Sequence, residues 1–170
     1  STLFYEEPVQ LIRGEGVHMY DESGRRYVDL YNNVPCVGHC HPQFVETVSR
    51  QVNTLNVHSR YLHESILDYA ERLIARHDDS IGSIIFSCTG TEANEIALRM
   101  ARLATGGRGI ICTDATYHGN SVEVSKLTRP KDHRDDVRSI PFPETYRNNS
   151  TEPQKHFLEE LQAVIDSFKK

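Results

Sequence analysis

No apolar run in this 170-residue sequence approaches the roughly 20 residues that a membrane-spanning helix needs. The chain also lacks a surplus of positive charge. It carries 19 Lys and Arg against 24 Asp and Glu, a net charge of −5, whereas nucleic-acid binders carry a basic excess. Its first residues, STLFYEE, have neither the basic start nor the apolar stretch of a secretory signal. Cysteine is sparse, with Cys36, Cys40, Cys88 and Cys112 as the whole set. A chain this long is no disulfide-stapled mini-fold, so reduced thiols are expected. Cys88 and Cys112 each close an apolar run and are expected to pack as small hydrophobes. Several chemical signatures are missing too. There is no Walker sequence and no Gly-x-Ser-x-Gly elbow, and Gly14-Glu15-Gly16 lacks the third glycine of a dinucleotide fingerprint.

What is present suits an ordinary folded domain or a piece of a larger one. Hydrophobic residues make up 38% and charged residues 25%, which fits neither a membrane protein nor a disordered chain. The pattern predicts a small β element first. Val17 to Tyr20 and Arg26 to Tyr31 flank Asp21-Glu22-Ser23-Gly24, a hairpin signal. A helix is predicted from Pro42, with Phe44, Val45, Val48, Val52 and Leu55 on one face. A second helix carries Ile66, Leu67, Ala70, Leu73 and Ile74 in register.

The pattern then becomes that of alternating strands and helices. Residues 81–86 read as a buried strand and lead into a helix with Ala93, Ile96, Ala97, Met100 and Ala104 on one face. Gly106-Gly107 is expected to stop that helix. Residues 109–112 and 137–140 read as further strands. A last helix is expected behind a capping box of Thr151 and Gln154. Alternation of this kind argues for an α/β layer with parallel pairing.

The strongest chemical signal lies in residues 86–98, FSCTGTEANEIAL. A strand, a small polar turn and a helix follow one another directly. Thr89 and Glu92 have capping-box spacing, and Gly90 allows a close approach to the backbone. The free N–H groups and dipole of a helix start attract an anion, although a self-capped helix without ligand shows the same pattern. Tyr117-His118-Gly119 follows the next strand. Ligands of open α/β sheets gather at such carboxyl ends, and an aromatic there could stack on a planar ring or simply face solvent. Cys36, His39, Cys40 and His41 crowd one turn, but their spacing does not repeat as paired zinc ligands do, so loop packing is the expectation.

Together these segments resemble the N-terminal portion of a class III aminotransferase, a pyridoxal-phosphate enzyme of fold type I. YDESGRRYVDLYNN and VGHCHPQFVETVSRQ resemble the family's first segments. FSCTGTEANEIALRMAR resembles its phosphate-cup strand, turn and helix, and TYHGNS its ring-stacking loop. LNVHSRYLHESILDYAERL and PFPETYR look closest to the alanine–glyoxylate aminotransferase 2-like branch, which also holds phospholyases acting on phosphoethanolamine and phosphohydroxylysine.

The resemblance implies a partial α/β type I fold. Residues 1–61 would form an N-terminal hairpin and dimer-contact helix, and residues 62–170 the first part of the large cofactor-binding domain. It implies pyridoxal phosphate as cofactor, with Gly90 and Thr91 gripping the phosphate and Tyr117, beside His118, against the pyridine ring. Cys88 and Thr89 stand where many members have Asn-Ser. The implied reaction moves an amino group from an amine or amino acid to a 2-oxo acid. A phospholyase of the same family, or a non-catalytic segment that only associates with a partner chain, are the alternatives. No metal, membrane or nucleic acid is implied. The expected partner is a second copy in a homodimer or the missing C-terminal portion, and the expected setting is the cytoplasm, or the mitochondrial matrix of a eukaryote. None of Lys126, Lys131, Lys155, Lys169 and Lys170 sits in a context resembling the family's Schiff-base lysine. All five read as solvated surface positions. The chain alone is therefore expected to be inactive and to bind pyridoxal phosphate weakly at best. The family's first two sheet strands are not adjacent, so at least one strand here is expected to lack a neighbour.

Overall fold

The computed structural model describes residues 6–128, 136–142, 146 and 152–168. It divides into two compact units, Ser1–Asp68 and Tyr69–Lys170.

The first unit is built on a three-stranded antiparallel meander: β1 (Leu11–Glu15), β2 (His18–Asp21) and β3 (Arg26–Val28). The hairpin between β2 and β3 is the one the sequence predicts, and Asp21 organises its turn. Its Oδ1 accepts from the Ser23 N–H at 2.9 Å, the Ser23 hydroxyl at 2.6 Å and the Arg25 N–H at 3.0 Å. Oδ2 accepts from the Tyr27 hydroxyl at 2.8 Å. Those donors, the Ser23 hydroxyl first, hold the Asp21 carboxyl below its ordinary range. Gly24 takes φ +82°, which a side chain would resist.

Strand β1 is not legible in the pattern, because Arg13, Gly14 and Glu15 break the alternation. Pairing with β2 imposes it. The loop 32–41 returns to this sheet, where Gly16 and His39 exchange two backbone hydrogen bonds of 2.9 and 2.8 Å. Helix α1 (Pro42–Thr54) follows, with Pro42 in its first turn as predicted. Its apolar stripe of Phe44, Val45, Val48, Val52 and Leu55 is exposed.

The unit boundary falls inside α2 (Glu64–Ile74). The second unit continues with α3 (Gly90–Thr105), β4 (Ile110–Thr113), a single 3-10 turn (Val124–Leu127), β5 (Val137–Ile140) and α4 (Pro153–Ser167). Strands β4 and β5 pair in parallel, from Ile110 opposite Val137 to Thr113 opposite Ile140, as the alternation predicts. Val124, Leu127, Val137 and Ile140 are the buried core beside this pair. Helix α4 closes one side, where the Arg138 guanidinium lies 4.7 Å from the Phe168 ring centroid. Glu152 precedes α4 without a side-chain cap bond, and Thr151 lies outside the described residues. Helix α3 ends at Gly106, left-handed at φ +68°, as expected.

Three expectations need correction. Residues 81–86 form no strand. A buried strand needs hydrogen-bonding neighbours, and β4 and β5 pair with each other instead. Ile81, Ile85 and Phe86 are exposed, with the Phe86 ring stacked on Tyr69 at 5.6 Å. Cys88 is likewise exposed, because the run it closes is not covered. Cys112, on β4, is half-buried, and burial, then nearby Asp114, pushes its thiol upward. Lys126 is not a free surface lysine. Its Nζ lies 2.6 Å from Glu123 and 3.8 Å from Asp136, which Arg102 also approaches at 2.8 and 3.7 Å, respectively. Lys126, followed by Arg102, holds the Glu123 carboxyl below its ordinary range.

Candidate functional site

The site grows from the start of α3. Thr89 is its cap residue, extended at φ −150°, and its Oγ1 accepts from the Glu92 N–H at 3.1 Å. The Glu92 carboxylate reaches back to the Cys88 N–H at 2.8 Å. This is the predicted reciprocal cap, with its return bond one residue earlier than the usual partner. The cap satisfies Glu92, and the Ala93 N–H bonds to the Thr89 carbonyl at 3.0 Å. Among the described residues, the N–H groups of Gly90 and Thr91 have no hydrogen-bond partner. Space beside Gly90 is open, since a β-carbon there would meet no atom within 4 Å. Two donors without a partner among the described residues, at the positive end of a 16-residue helix, suit an anion. The dipole adds about 0.3–1 kcal/mol where exposed.

The loop after β4 comes to this same helix start. The Asn94 amide donates to the His118 carbonyl at 2.9 Å, and the Ser121 hydroxyl to Glu95 at 2.5 Å. Gly119, at φ +134°, packs against Thr91, whose Cβ would lie 2.8 Å from a β-carbon at position 119. The Thr128 hydroxyl accepts from the His118 N–H at 3.2 Å. The structure thus fastens the loop that bears Tyr117 and His118 to the helix that begins at Gly90. Tyr117 is 67% exposed and His118 is partly buried. The arrangement fits a phosphorylated planar ring: free N–H donors and open space for the phosphate, with an exposed aromatic nearby for the ring.

Asn94, Glu95 and Thr128 were not singled out from the sequence. A signal existed, since Thr91, Asn94 and Glu95 are polar at i, i+3 and i+4 on the helix that opens the cradle. The predicted apolar face contributes less, with Met100 exposed.

The crowded His and Cys turn has a different use. The His39 ring lies 2.7 Å from Asp29 and packs over Gly14, where a β-carbon would come within 2.7 Å of it. Asp29, 4% exposed, also accepts from the N–H groups of Asn32 and Tyr31 at 2.9 and 3.1 Å. The Asn32 N–H, then His39, hold its carboxyl far below the ordinary range. Among the described residues no group of three or more His, Cys, Asp or Glu is placed to hold a metal. A shallow depression of about 510 Å³ nearby is lined by Arg13, Met19, Asn32 and His39 among others, and by none of the predicted site residues.

The family model of class-III aminotransferases matches residues 5–170. The chain belongs to the class-III aminotransferase family. An alanine–glyoxylate aminotransferase 2-like protein of Drosophila melanogaster is 35% identical over 158 residues, covering 88% of this chain and 32% of that protein. Among solved structures, a phospholyase from Arthrobacter in complex with phosphoethanolamine superposes with a TM-score of 0.90. It is 35% identical over 99% of this chain, which corresponds to 42% of its own. A taurine:2-oxoglutarate aminotransferase from Bifidobacterium kashiwanohense, in complex with PLP and glutamate, shares the fold at a TM-score of 0.81 and 18% identity over 98% of this chain and 42% of its own. This class-III aminotransferase chain therefore spans 32% of the Drosophila relative's length. It carries part of the α/β fold of pyridoxal-phosphate transaminases, and the family implies that cofactor.

Proposed function

We propose that this chain supplies the phosphate- and ring-binding part of a pyridoxal-phosphate enzyme that transfers an amino group from an amine or amino acid to a 2-oxo acid. The observation that carries the reading is the pair of N–H groups at Gly90 and Thr91 that have no partner among the described residues, with the Tyr117–His118 loop fastened to the same helix. Pyridoxal phosphate, when bound, supplies the electron sink for chemistry at the amino-bearing carbon. The chain's residues do the holding. Gly90 and Thr91 donate to the phosphate, the α3 dipole favours its charge, and Tyr117 offers its ring face to the pyridine. Equilibrium dialysis of the full chain against pyridoxal phosphate tests this. Saturable binding displaced by inorganic phosphate is expected, and no saturable binding overturns the reading.

A phospholyase reaction, elimination of phosphate from a phosphorylated amine, is the second reading. The 0.90 TM-score and 35% identity to the Arthrobacter enzyme favour it. Release of inorganic phosphate from phosphoethanolamine, against transfer of its amino group, separates the two in any preparation that turns over.

The chain on its own turns over no donor in this proposal. Lys126 is paired with carboxylates and Lys155 is exposed beside Glu152 at 3.2 Å. A second copy of the chain is the proposed partner, supported by the uncovered apolar stripe of α1. The proposed setting is cytoplasmic or mitochondrial. Among the described residues no helix is long and apolar enough to cross a membrane.

A further inference from the structure

We propose that Asn94 and Thr128 are positioning residues that hold the Tyr117 loop at a fixed offset from the free N–H groups of Gly90 and Thr91, an inference that rests on the cofactor reading above. One face of α3 is stitched to the chain that follows β4. Thr91 meets Gly119, the Asn94 amide meets the His118 carbonyl, Glu95 meets the Ser121 hydroxyl, and Arg102 meets Glu123 at 2.8 Å. The helical positions 91, 94, 95 and 102 share that face.

Within the stitching, His118 is gripped from two directions. Its carbonyl accepts from Asn94 on α3 at 2.9 Å, and its N–H donates to the Thr128 hydroxyl at 3.2 Å. The same hydroxyl donates to the Gly119 carbonyl at 3.4 Å. Both peptide planes beside His118 are therefore fixed by side chains from different parts of the fold. Tyr117, the preceding residue, is 67% exposed and has no hydrogen bond from its own side chain among the described residues. The clamped backbone therefore sets the point from which its ring projects. A ring carried on a loose loop must be ordered when ligand binds, which weakens binding, and a clamped one is ordered beforehand.

Two phosphate probes separate this role from simple support of the fold. Inorganic phosphate reaches only the Gly90–Thr91 cradle, whereas pyridoxine phosphate carries the ring as well. Asn94→Asp keeps the side chain's shape but sets an acceptor against the His118 carbonyl. Thr128→Val removes the hydroxyl, and Thr128→Ser restores it. In the full chain, Asn94→Asp and Thr128→Val should weaken pyridoxine phosphate binding about tenfold, the size of one half-buried hydrogen bond. Affinity for inorganic phosphate should stay unchanged, and Thr128→Ser should behave as the parent. Amide hydrogen exchange should quicken at Tyr117 and His118 in the two damaging variants while β4 and β5 keep their protection. Unchanged pyridoxine phosphate affinity, or equal loss of both probes, overturns the proposal. A parent chain that binds neither probe overturns the cofactor reading, and this inference with it. A loss confined to the ring-bearing probe in the variants cannot arise that way.

Discussion

The side chain of Thr91 fills the space in which a β-carbon of Gly119 would have to stand. This contact joins the first turn of α3 to the loop after β4, and it requires glycine twice, for room and for φ +134°. Gly119→Ala should destabilise the full chain by about 1–3 kcal/mol from the backbone conformation alone, with the overlap adding to it. Thr91→Ala removes Oγ1 and Cγ2 from the contact. The double variant should therefore be more stable than the two single effects predict, by about 0.5 kcal/mol or more. Urea unfolding of the four proteins measures this, and strict additivity would show that Thr91 is not the obstacle.

Gly90 is glycine for a different reason. No protein atom lies within 4 Å of its missing β-carbon, so the fold itself does not demand the absence of a side chain. Gly90→Ala and Gly90→Asp should both leave thermal unfolding close to that of the parent. Gly90→Asp places a carboxylate where the phosphate is proposed to sit and should abolish saturable binding of pyridoxal phosphate. Gly90→Ala should weaken it through bulk alone. Dialysis with intact binding in Gly90→Asp would move the phosphate elsewhere.

Tyr117 should contribute its ring and not its hydroxyl. An exposed aromatic beside an anion cradle gains binding by covering the ligand's flat face, a term of about 0.5–1.5 kcal/mol beyond burial for aromatic pairs. Tyr117→Phe should retain pyridoxal phosphate nearly as the parent does, and Tyr117→Ala should lose it severalfold. Equal losses in both variants would assign the effect to the hydroxyl.

The parts of this molecule that were legible from sequence are those decided locally. Pro42 opens α1 through its fixed φ, and Thr89 with Glu92 caps α3 and Gly106 ends it through bonds spanning four residues or fewer. The parallel pairing of β4 and β5 followed from the alternation of strands and helices. Residues 81–86 misled because composition reports burial preference, whereas a ladder depends on neighbours that sequence alone does not supply. Strand β1 was missed for the converse reason. Arg13 and Glu15 give it no alternation, and its partner β2 defines it. The cap at the start of α3 was visible as Thr and Glu three residues apart, whereas the roles proposed for Gly90, Thr91 and Tyr117 came from resemblance. The Asn94–His118 bond spans 24 residues, so the polar spacing of Thr91, Asn94 and Glu95 marks a face of α3 without naming its partner.

Acid should loosen the first unit through Asp29. Its carboxyl is held below the ordinary value of 3.8 by the Asn32 N–H first and by His39. A carboxyl depressed in the folded state gives stability that is fully present above the unfolded value and is lost as pH falls toward the folded one. The loss should therefore set in below about pH 4. Asp21, Asp78 and Glu123 are lowered as well, so the reading must be differential. Asp29→Asn keeps an acceptor for the Asn32 N–H and removes the titration. Thermal melts of the parent at pH 6 and pH 3 should differ more than those of Asp29→Asn. An equal acid shift in both proteins would remove Asp29 from the account.

The last expectation concerns chemistry by this chain alone. A lysine that attacks a carbonyl must present a free amine aimed at the carbon, from a desolvated position. Of the two described lysines, Lys126 is the more covered at 24% exposed, but its ammonium is occupied by Glu123 at 2.6 Å and Asp136 at 3.8 Å. Those carboxylates fix the 3-10 turn that bears it against Arg102, so releasing the amine would cost the turn its anchor. Lys155 is 67% exposed and lies 3.2 Å from Glu152, so its ammonium is not desolvated. Lys131, Lys169 and Lys170 lie outside the described residues. Incubation with pyridoxal phosphate, borohydride reduction, digestion and mass analysis should show no lysine labelled to stoichiometry, and no amino transfer should accompany binding. Glu123→Gln sharpens the test by loosening the grip on Lys126. If Lys126 is only structural, that variant should lower the unfolding temperature and still show no stoichiometric label. A stoichiometric label on Lys126 in the parent, with measurable amino transfer, would make it the catalytic amine and overturn the assignment of this chain to cofactor binding alone.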